Sequence, residues 1–149
     1  MPIDWDHVSD GYPGACHCGA IRTVFRSAKS PAELGARTCQ CSFCRAHGAS
    51  WTSDPAGTLE VRIGGPINRY RFGTGTADFL VCGTCGVVPA VVAEMEGGLH
   101  GVVRVDCLQQ RDAFLAAAQP SDFEGESLDA RLDRRAGRWT PARILEAVL

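Results

Sequence analysis

Cysteine is the residue type whose number and spacing stand out in this chain, because eight cysteines occur among its 149 residues. Thiolates spaced one or two residues apart can converge on one metal ion from a tight turn, and glycines beside them allow the backbone to bend. This spacing predicts bound metal ions rather than free buried thiols. Three clusters have it, and Cys107 stands apart from them: Cys16-His-Cys18-Gly, Cys39-Gln-Cys41-Ser-Phe-Cys44-Arg and Cys82-Gly-Thr-Cys85-Gly.

The clustered cysteines do not divide into groups of four. Two cysteine pairs can supply the four sulfurs of a closed, structural zinc site, which leaves three ligands in the cluster Cys39, Cys41 and Cys44, called the triplet below. A zinc ion held by three side chains keeps an open fourth position, as catalytic zinc does. Alternatively, a fourth ligand closes the triplet site and makes it structural, or the triplet and Cys107 hold an iron–sulfur cluster. The candidates for that fourth ligand are Cys107, His17 and His47.

The order of the three motifs resembles the family of glutathione-dependent formaldehyde-activating enzymes, which includes the centromere protein V-like proteins. The resemblance covers about residues 11–107 and includes the stretch Tyr70-Arg-Phe-Gly-Thr-Gly-Thr76. It implies a mostly β fold, a β-tent of antiparallel sheets stapled by zinc. It also implies two zinc ions per chain, a reactive one on the triplet and a structural one held by Cys16, Cys18, Cys82 and Cys85.

The resemblance also implies an activity. Family members add a thiol, glutathione, to formaldehyde and form S-hydroxymethylglutathione; in the reverse direction the reaction is that of a carbon–sulfur lyase. The expected partner is therefore a small-molecule thiol such as glutathione. The competing hypothesis is a non-catalytic, zinc-stapled module that binds a partner.

Two residues near the triplet are candidate catalytic residues. Three thiolates around Zn²⁺ leave a net charge of −1, which weakens the ion as a Lewis acid and makes a nearby cation useful. Arg45, directly after Cys44, is the candidate for that cation, and His47 could move a proton near neutral pH. Trp51 is expected in the core, with pocket lining as the alternative, and Cys107 is expected to be a buried thiol.

Short strands with turns between them must position these clusters. The body of the chain is therefore predicted to be mostly antiparallel β. Glu60 and Arg62 are expected on the outer face of their strand, and Gly97-Gly98 is expected to form a tight hairpin turn. Alternating apolar residues or short apolar runs predict strands over 20–25, 59–63, 69–72, 79–81, 87–93 and 99–105.

Short helices are predicted around this body. Ser30-Pro-Ala-Glu33 is a capping box, and residues 112–118 and 127–136 favour helix. We expect one domain over residues 1–149, with a core at about 11–107 and a helical C-terminal appendage at 108–149. Thr140-Pro141 is expected to cap a last amphipathic turn through Ile144, Leu145 and Val148.

The C-terminal arginines allow two interpretations. They could form a phosphate-binding stripe, but acidic residues are interleaved with them, which favours a solvated helix face. These arginines are at positions 131, 134, 135, 138 and 143.

Composition excludes several classes of protein. Apolar residues make up 45% of the chain and charged residues 21%, which excludes a wholly disordered chain. A net charge of −2 argues against nucleic-acid binding. The longest apolar run, 87–93, contains Pro89 and is too short to span a membrane. No basic residue precedes Arg22, so no export signal is expected, and we expect a cytoplasmic protein with reduced thiols.

Overall fold

The computed structural model describes residues 11–123 and 125–146 of the chain. Those residues form eleven β-strands and four short α-helices, so the mostly β fold predicted from the sequence is confirmed. The strands are β1 (Gly11–Ala15), β2 (Ile21–Arg26), β3 (Ala36–Cys39), β4 (Ser50–Thr52), β5 (Thr58–Ile63), β6 (Ile67–Tyr70), β7 (Asp78–Cys82), β8 (Ala90–Met95), β9 (Gly98–Arg104), β10 (Ala118–Ser121) and β11 (Thr140–Glu146). The α-helices are α1 (Pro31–Leu34), α2 (Ser42–His47), α3 (Arg111–Leu115) and α4 (Leu128–Arg138).

The strands form one mixed sheet with two wings that meet at β11. The strand order of the first wing is β1, β2, β5 and β11. In the second wing, β9 is central: β8, β7 and β6 follow on one side, and β4, β3 and β10 follow on the other. Thr140 and Pro141 pair with β9, whereas residues 142–146 pair with β5. Most pairs are antiparallel, as predicted, but β11–β5 and β10–β3 are parallel. Parallel neighbours need long crossover connections, and both pairs join strands that are distant in the chain.

The C-terminal strand shows that the helical turn predicted from Thr140-Pro141 is wrong. Ala142 and Ile144 pack against the core, whereas the Arg143 side chain between them is 71% exposed. This period of two is that of a strand, and the edge of β5 supplies its hydrogen-bonding partners. The segment after Cys107 therefore supplies two strands of the sheet and is not a purely helical appendage. Val148 lies outside the described residues.

Glu60 is buried, although the alternation of β5 predicts that it faces outward. The residue is only 4% exposed because β11 lies alongside β5 and brings Arg143 to the carboxylate. Arg62 also donates to it, through Nη2 at 3.0 Å and Nε at 3.2 Å. Burial alone would raise the pKa of Glu60, but the hydrogen bonds and charges of the two arginines outweigh it and lower that pKa.

The helices begin close to where the sequence predicts. Ser127 caps α4, its Oγ accepting a hydrogen bond from Ala130 N at 3.1 Å. In contrast, α3 is shorter than the predicted 112–118, because the chain enters β10 at Ala118. No helix in the described ranges is both long and apolar enough to cross a membrane.

Two turns show how local residue types set the path of the chain. Ser30 caps α1 by accepting from Glu33 N at 3.3 Å, as the capping box predicts. Between β8 and β9, Met95 pairs with Gly98, so the two-residue hairpin loop is 96–97 and not Gly97-Gly98. Gly98 opens β9 with a φ of 110°, a value that glycine adopts without strain.

The core has two apolar clusters. The larger includes Phe25, Leu59 and Phe114, each at most 1% exposed, and full burial of such side chains contributes about 1.5–3 kcal/mol apiece. The smaller cluster contains Trp51, Trp139 and the triplet residue Cys44. The triplet is therefore anchored in the core.

Candidate functional site

The four-cysteine cluster forms where two hairpins meet. Cys16 directly follows β1 and Cys18 lies in the turn before β2, whereas Cys82 ends β7 and Cys85 lies in the turn that follows. All four Sγ atoms lie within 4.8 Å of one another. The Sγ atoms of Cys16 and Cys18 are 3.7 Å apart, and those of Cys18 and Cys82 are 3.6 Å apart. Four sulfurs at about 2.3 Å from a tetrahedral zinc ion would lie about 3.8 Å apart, so the cluster fits such an ion.

Backbone amides surround these sulfurs as expected for thiolate ligands. Ile21 N donates to Cys16 Sγ at 3.3 Å, and Thr84 N and Cys85 N donate to Cys82 Sγ at 3.4 and 3.5 Å. These hydrogen bonds spread the negative charge that four thiolates bring together.

Both turns depend on a glycine, as the sequence predicts. Gly19 and Gly86 have φ values of 83° and 81°, in the left-handed region that side chains disfavour. Their amides donate to the carbonyl oxygens of Cys16 and Cys82, at 3.1 and 2.9 Å. The turns are therefore closed by hydrogen bonds within the motifs themselves.

The triplet is assembled by β3 and the first turn of α2. Cys39 ends β3, Cys41 is the N-cap of α2, and Cys44 lies inside that helix. Cys44 N donates to Cys41 Sγ at 3.4 Å, the bond a capping side chain makes. The three Sγ atoms lie within 4.8 Å of one another, so this cluster could also hold a metal ion. Both cysteine clusters are consistent with zinc.

The sulfurs of Cys39 and Cys44 interact with each other. The pKa of Cys39 is lowered to about 6, chiefly because Cys44 donates a hydrogen bond to its sulfur, and the pKa of Cys44 is raised by the same bond. Trp51 Nε1 donates to Cys44 Sγ at 3.3 Å. One sulfur of the triplet therefore carries negative charge readily, which suits a metal ligand.

No fourth protein ligand joins the triplet within residues 11–123 and 125–146. His17 is exposed in the turn between β1 and β2, at the other cluster. Cys107 is half-buried beyond β9, and burial raises its pKa to about 11. His47 stacks on Phe43, with ring centroids 4.5 Å apart, and its imidazole does not join the sulfurs.

The candidate catalytic residues Arg45 and His47 lie near the triplet in sequence but on the exposed part of α2. The carbonyl of His47 accepts from Arg104 Nη2 at 3.0 Å. Neither residue lines the cavity described next. Their catalytic roles stay predictions.

A cavity of about 130 Å³ adjoins the triplet. It lies between the second wing and the C-terminal segment, and its walls combine sulfur, aromatic rings and guanidinium groups. Trp51 is both core and cavity lining, so the two expectations for it are compatible. The principal lining side chains are Cys39, Cys41, Cys44, Trp51, Phe72, Phe79, Phe123, Trp139, Arg37, Arg131, Arg134 and Arg135.

Arg135 shows that a solvated face is the wrong description for part of α4. It is 8% exposed, donates from Nη1 to Thr76 Oγ1 at 2.7 Å, and its guanidinium carbon lies 4.7 Å from the centre of the Trp139 ring. Burial and the charges of Arg131 and Arg134 lower the pKa of Arg135 to about 10. The arginines of this helix therefore crowd positive charge at the cavity.

Glu126 offsets part of that charge. It accepts from Arg134 Nε and Nη2, both at 3.0 Å, and from Arg131 Nε at 3.3 Å. The hydrogen bonds from Arg134, outweighing burial, lower the pKa of Glu126. Arg134 also lies over the Phe123 ring at 3.6 Å, so the loop before α4 is tied to the helix at the cavity mouth.

Comparison with known proteins supplies a relative. No protein-family model matches the sequence, and neither does any curated protein. Among solved structures, the crystal structure of a Rhodobacter sphaeroides protein, a structural genomics target, is similar at a TM-score of 0.54 and 31% sequence identity. The match covers 73% of this chain and 99% of that protein. The chain belongs to the same family as the Rhodobacter protein.

In this member of the Rhodobacter protein's family, sequence reasoning found the cysteines, missed Arg37, and favoured a solvated face for the α4 arginines that line the cavity. Cysteine spacing is a local signal, whereas Arg37 reaches the cavity from β3 and Arg135 from α4, through packing alone. A second usable signal, besides the arginine cluster itself, was the pair of aromatic residues, Phe123 and Trp139, that flank α4. Large aromatic rings at both ends of a charged helix indicate that one side of the helix packs against the body of the protein.

Proposed function

We propose that the chain is a zinc enzyme that adds a thiol to formaldehyde or a related aldehyde, or catalyses the reverse, as a carbon–sulfur lyase. The observation that carries the proposal is the placement of the triplet in a cavity wall with no fourth ligand among the described residues. A closed structural site would have four ligands, as the other cluster does.

The family resemblance supports the same reaction. The motifs resemble those of glutathione-dependent formaldehyde-activating enzymes, and the cysteines group as that resemblance implies, four in one cluster and three in the other. We therefore propose two zinc ions per chain and glutathione, or a thiol like it, as the partner. All eight cysteines are free, in keeping with a reducing, cytoplasmic setting, which we also propose.

The reaction is balanced without an oxidant or a reductant. The thiol sulfur bonds to the aldehyde carbon, the π electrons of the carbonyl move onto its oxygen, and the proton lost by the thiol ends on that oxygen. A zinc ion held by the triplet would lower the pKa of a thiol and polarise a carbonyl.

The chain's own residues prepare the site for this chemistry. Trp51 and the backbone amide of Cys44 donate to triplet sulfurs and hold them in place. The rings of Phe72 and Phe79 give the cavity an apolar wall. Arg45 and His47 remain our candidates for charge compensation and proton transfer, acting from the outer side of α2.

The experiment measures how fast formaldehyde and glutathione form the hemithioacetal, by NMR exchange, with zinc-loaded protein. We expect acceleration over the uncatalysed rate, its loss in Cys41→Ser, and its retention in the matched control Cys107→Ser. Protein that contains both ions but gives no acceleration, or acceleration that survives Cys41→Ser, would contradict the proposal. The first result would favour a non-catalytic binding module.

A further inference from the structure

The cavity beside the triplet has a strong excess of positive charge. Four arginines line it, and no aspartate or glutamate of the described residues does. Arg37 comes from β3, and Arg131, Arg134 and Arg135 come from α4. Because the guanidinium group stays protonated at physiological pH, this lining favours an anion.

Glu126 neutralises only part of this charge. Its carboxylate pairs with Arg131 and Arg134. Within residues 11–123 and 125–146, no ion pair reaches Arg37 or Arg135, whose guanidinium groups donate instead to the hydroxyls of Ser53, at 2.8 Å, and Thr76. Two cations therefore face the cavity without an acidic partner.

Two buried polar atoms of the lining also lack a partner. Arg135 is more than nine-tenths buried, and neither its Nε nor Ser121 Oγ makes a hydrogen bond in the described part of the chain. Both residues line the cavity. A buried donor without a partner costs about 1–3 kcal/mol, so such atoms indicate a group that completes them.

We propose that Arg135, Arg37 and Ser121 form a carboxylate-binding subsite, and that the substrate of the triplet is a thiol or aldehyde carrying a carboxylate. This inference rests on the proposed function and adds the substrate class. The planar guanidinium group can donate two parallel hydrogen bonds to a carboxylate, and the Ser121 hydroxyl can donate another.

Cavity size limits what the subsite can hold. A volume of about 130 Å³ is close to that of a cavity that binds benzene, so it takes a small acid or one carboxylate arm of a larger thiol. The apolar rings would cover the carbon atoms between the acid group and the reacting sulfur or carbonyl. The subsite therefore orients the substrate as well as selecting it.

The test compares binding of mercaptoacetate and 2-mercaptoethanol, which are similar thiols with and without a carboxylate. Trp51 and Trp139 line the cavity, so their fluorescence reports binding. We expect mercaptoacetate to bind at least about tenfold more tightly, the factor of one charge-assisted hydrogen bond. Equal affinities for the two thiols would overturn the proposal.

Substitutions test whether the proposed subsite causes the preference for mercaptoacetate over 2-mercaptoethanol. Arg135→Gln should abolish this preference, and Arg135→Lys should restore part of it. Arg111→Gln is the control and should keep the preference, because Arg111 carries the same charge but is an exposed α3 residue outside the cavity. If Arg135→Gln does not fold, Arg37→Gln makes the same test. Loss of the preference in Arg111→Gln, or its survival in both cavity variants, would overturn the proposal.

Two further measurements separate this proposal from the proposed function. If inorganic phosphate displaces mercaptoacetate at equal concentration, the site recognises charge alone and the carboxylate proposal is wrong. Formaldehyde addition that proceeds equally with both thiols would leave the proposed function intact and overturn the subsite. Selective mercaptoacetate binding without any addition to formaldehyde or glyoxylate would support the subsite and contradict the proposed function.

Discussion

The indole Nε1 of Trp51 donates a hydrogen bond to Sγ of Cys44 at 3.3 Å. Trp51 lies on β4 and Cys44 on α2, so this bond connects the sheet to the helix that carries two of the three triplet sulfurs. Both residues are at least 95% buried, so water does not compete for this hydrogen bond, and the bond would strengthen if a metal ion converted Cys44 to a thiolate.

Removing this donor should weaken metal binding without disrupting the fold. In Trp51→Phe the ring still fills the core but the N–H group is lost, and we expect zinc affinity at the triplet to fall about 10–100-fold. Competition with a chromophoric chelator measures it. Trp139→Phe is the control, since Trp139 lines the same cavity without a hydrogen bond to a triplet sulfur. An unchanged affinity in Trp51→Phe would show that the bond does not support the metal.

The two cysteine clusters should differ in their importance for folding. Cys82 is 1% exposed and joins two hairpins, and structural zinc contributes about 10–16 kcal/mol, comparable to the whole stability of a small domain. We therefore expect Cys82→Ala to be insoluble, whereas Cys41→Ala should fold and carry one ion. Metal content and thermal unfolding test this, with Cys107→Ala as the control. Soluble, cooperatively melting Cys82→Ala would contradict it.

The ions should also differ in how readily they leave. The triplet opens onto a cavity and offers three sulfurs among the described residues, whereas the other cluster offers four. We expect a mild chelator to remove one ion per chain from folded protein and the second only as the protein unfolds. Metal analysis after dialysis, followed alongside circular dichroism, measures the two steps. Loss of both ions together would contradict the distinction.

Glu60 should make stability fall at acid pH. Its pKa in the folded protein is lowered, so its contribution is present above the unfolded pKa of about 4.3 and is lost as pH falls through the folded value. We expect Glu60→Gln to be less stable than the native chain at pH 7, with the difference shrinking below about pH 4. Denaturant unfolding at several pH values measures it. Glu94→Gln, at an exposed position of β8, is the control, and a pH-independent difference in Glu60→Gln would contradict the assignment.

Two glycine substitutions should act in opposite directions. A Cβ at Gly101 would lie 2.8 Å from the carbonyl oxygen of Val91 and 3.1 Å from Leu59 Cδ2, so Gly101→Ala should cost about 1–3 kcal/mol. A Cβ at Gly137, inside α4, would meet no described atom within 4 Å beyond its own stretch of helix, so Gly137→Ala should add about 0.5–1 kcal/mol. Thermal unfolding compares the two. A stabilised Gly101→Ala protein would mean that β8 and β9 can move apart.

Local spacing was enough to predict that the clustered cysteines could hold metal ions. Each cysteine pair, Cys16 with Cys18 and Cys82 with Cys85, sits in its own glycine turn. Spacing left the pairing of the two turns open, the family resemblance implied it, and the fold brings their four sulfurs together.

The sequence by itself determined the cysteine-bearing turns, the capped helices and the β character of the chain, because these depend on neighbours within a few residues. Only the tertiary structure decided that Arg135 faces a cavity, that Glu60 is buried and that residues 140–146 form a strand. These features depend on β11 pairing with β5 and on Arg135 of α4 contacting Thr76, contacts that join residues more than fifty positions apart. A contact over that distance leaves no periodic signal in either segment.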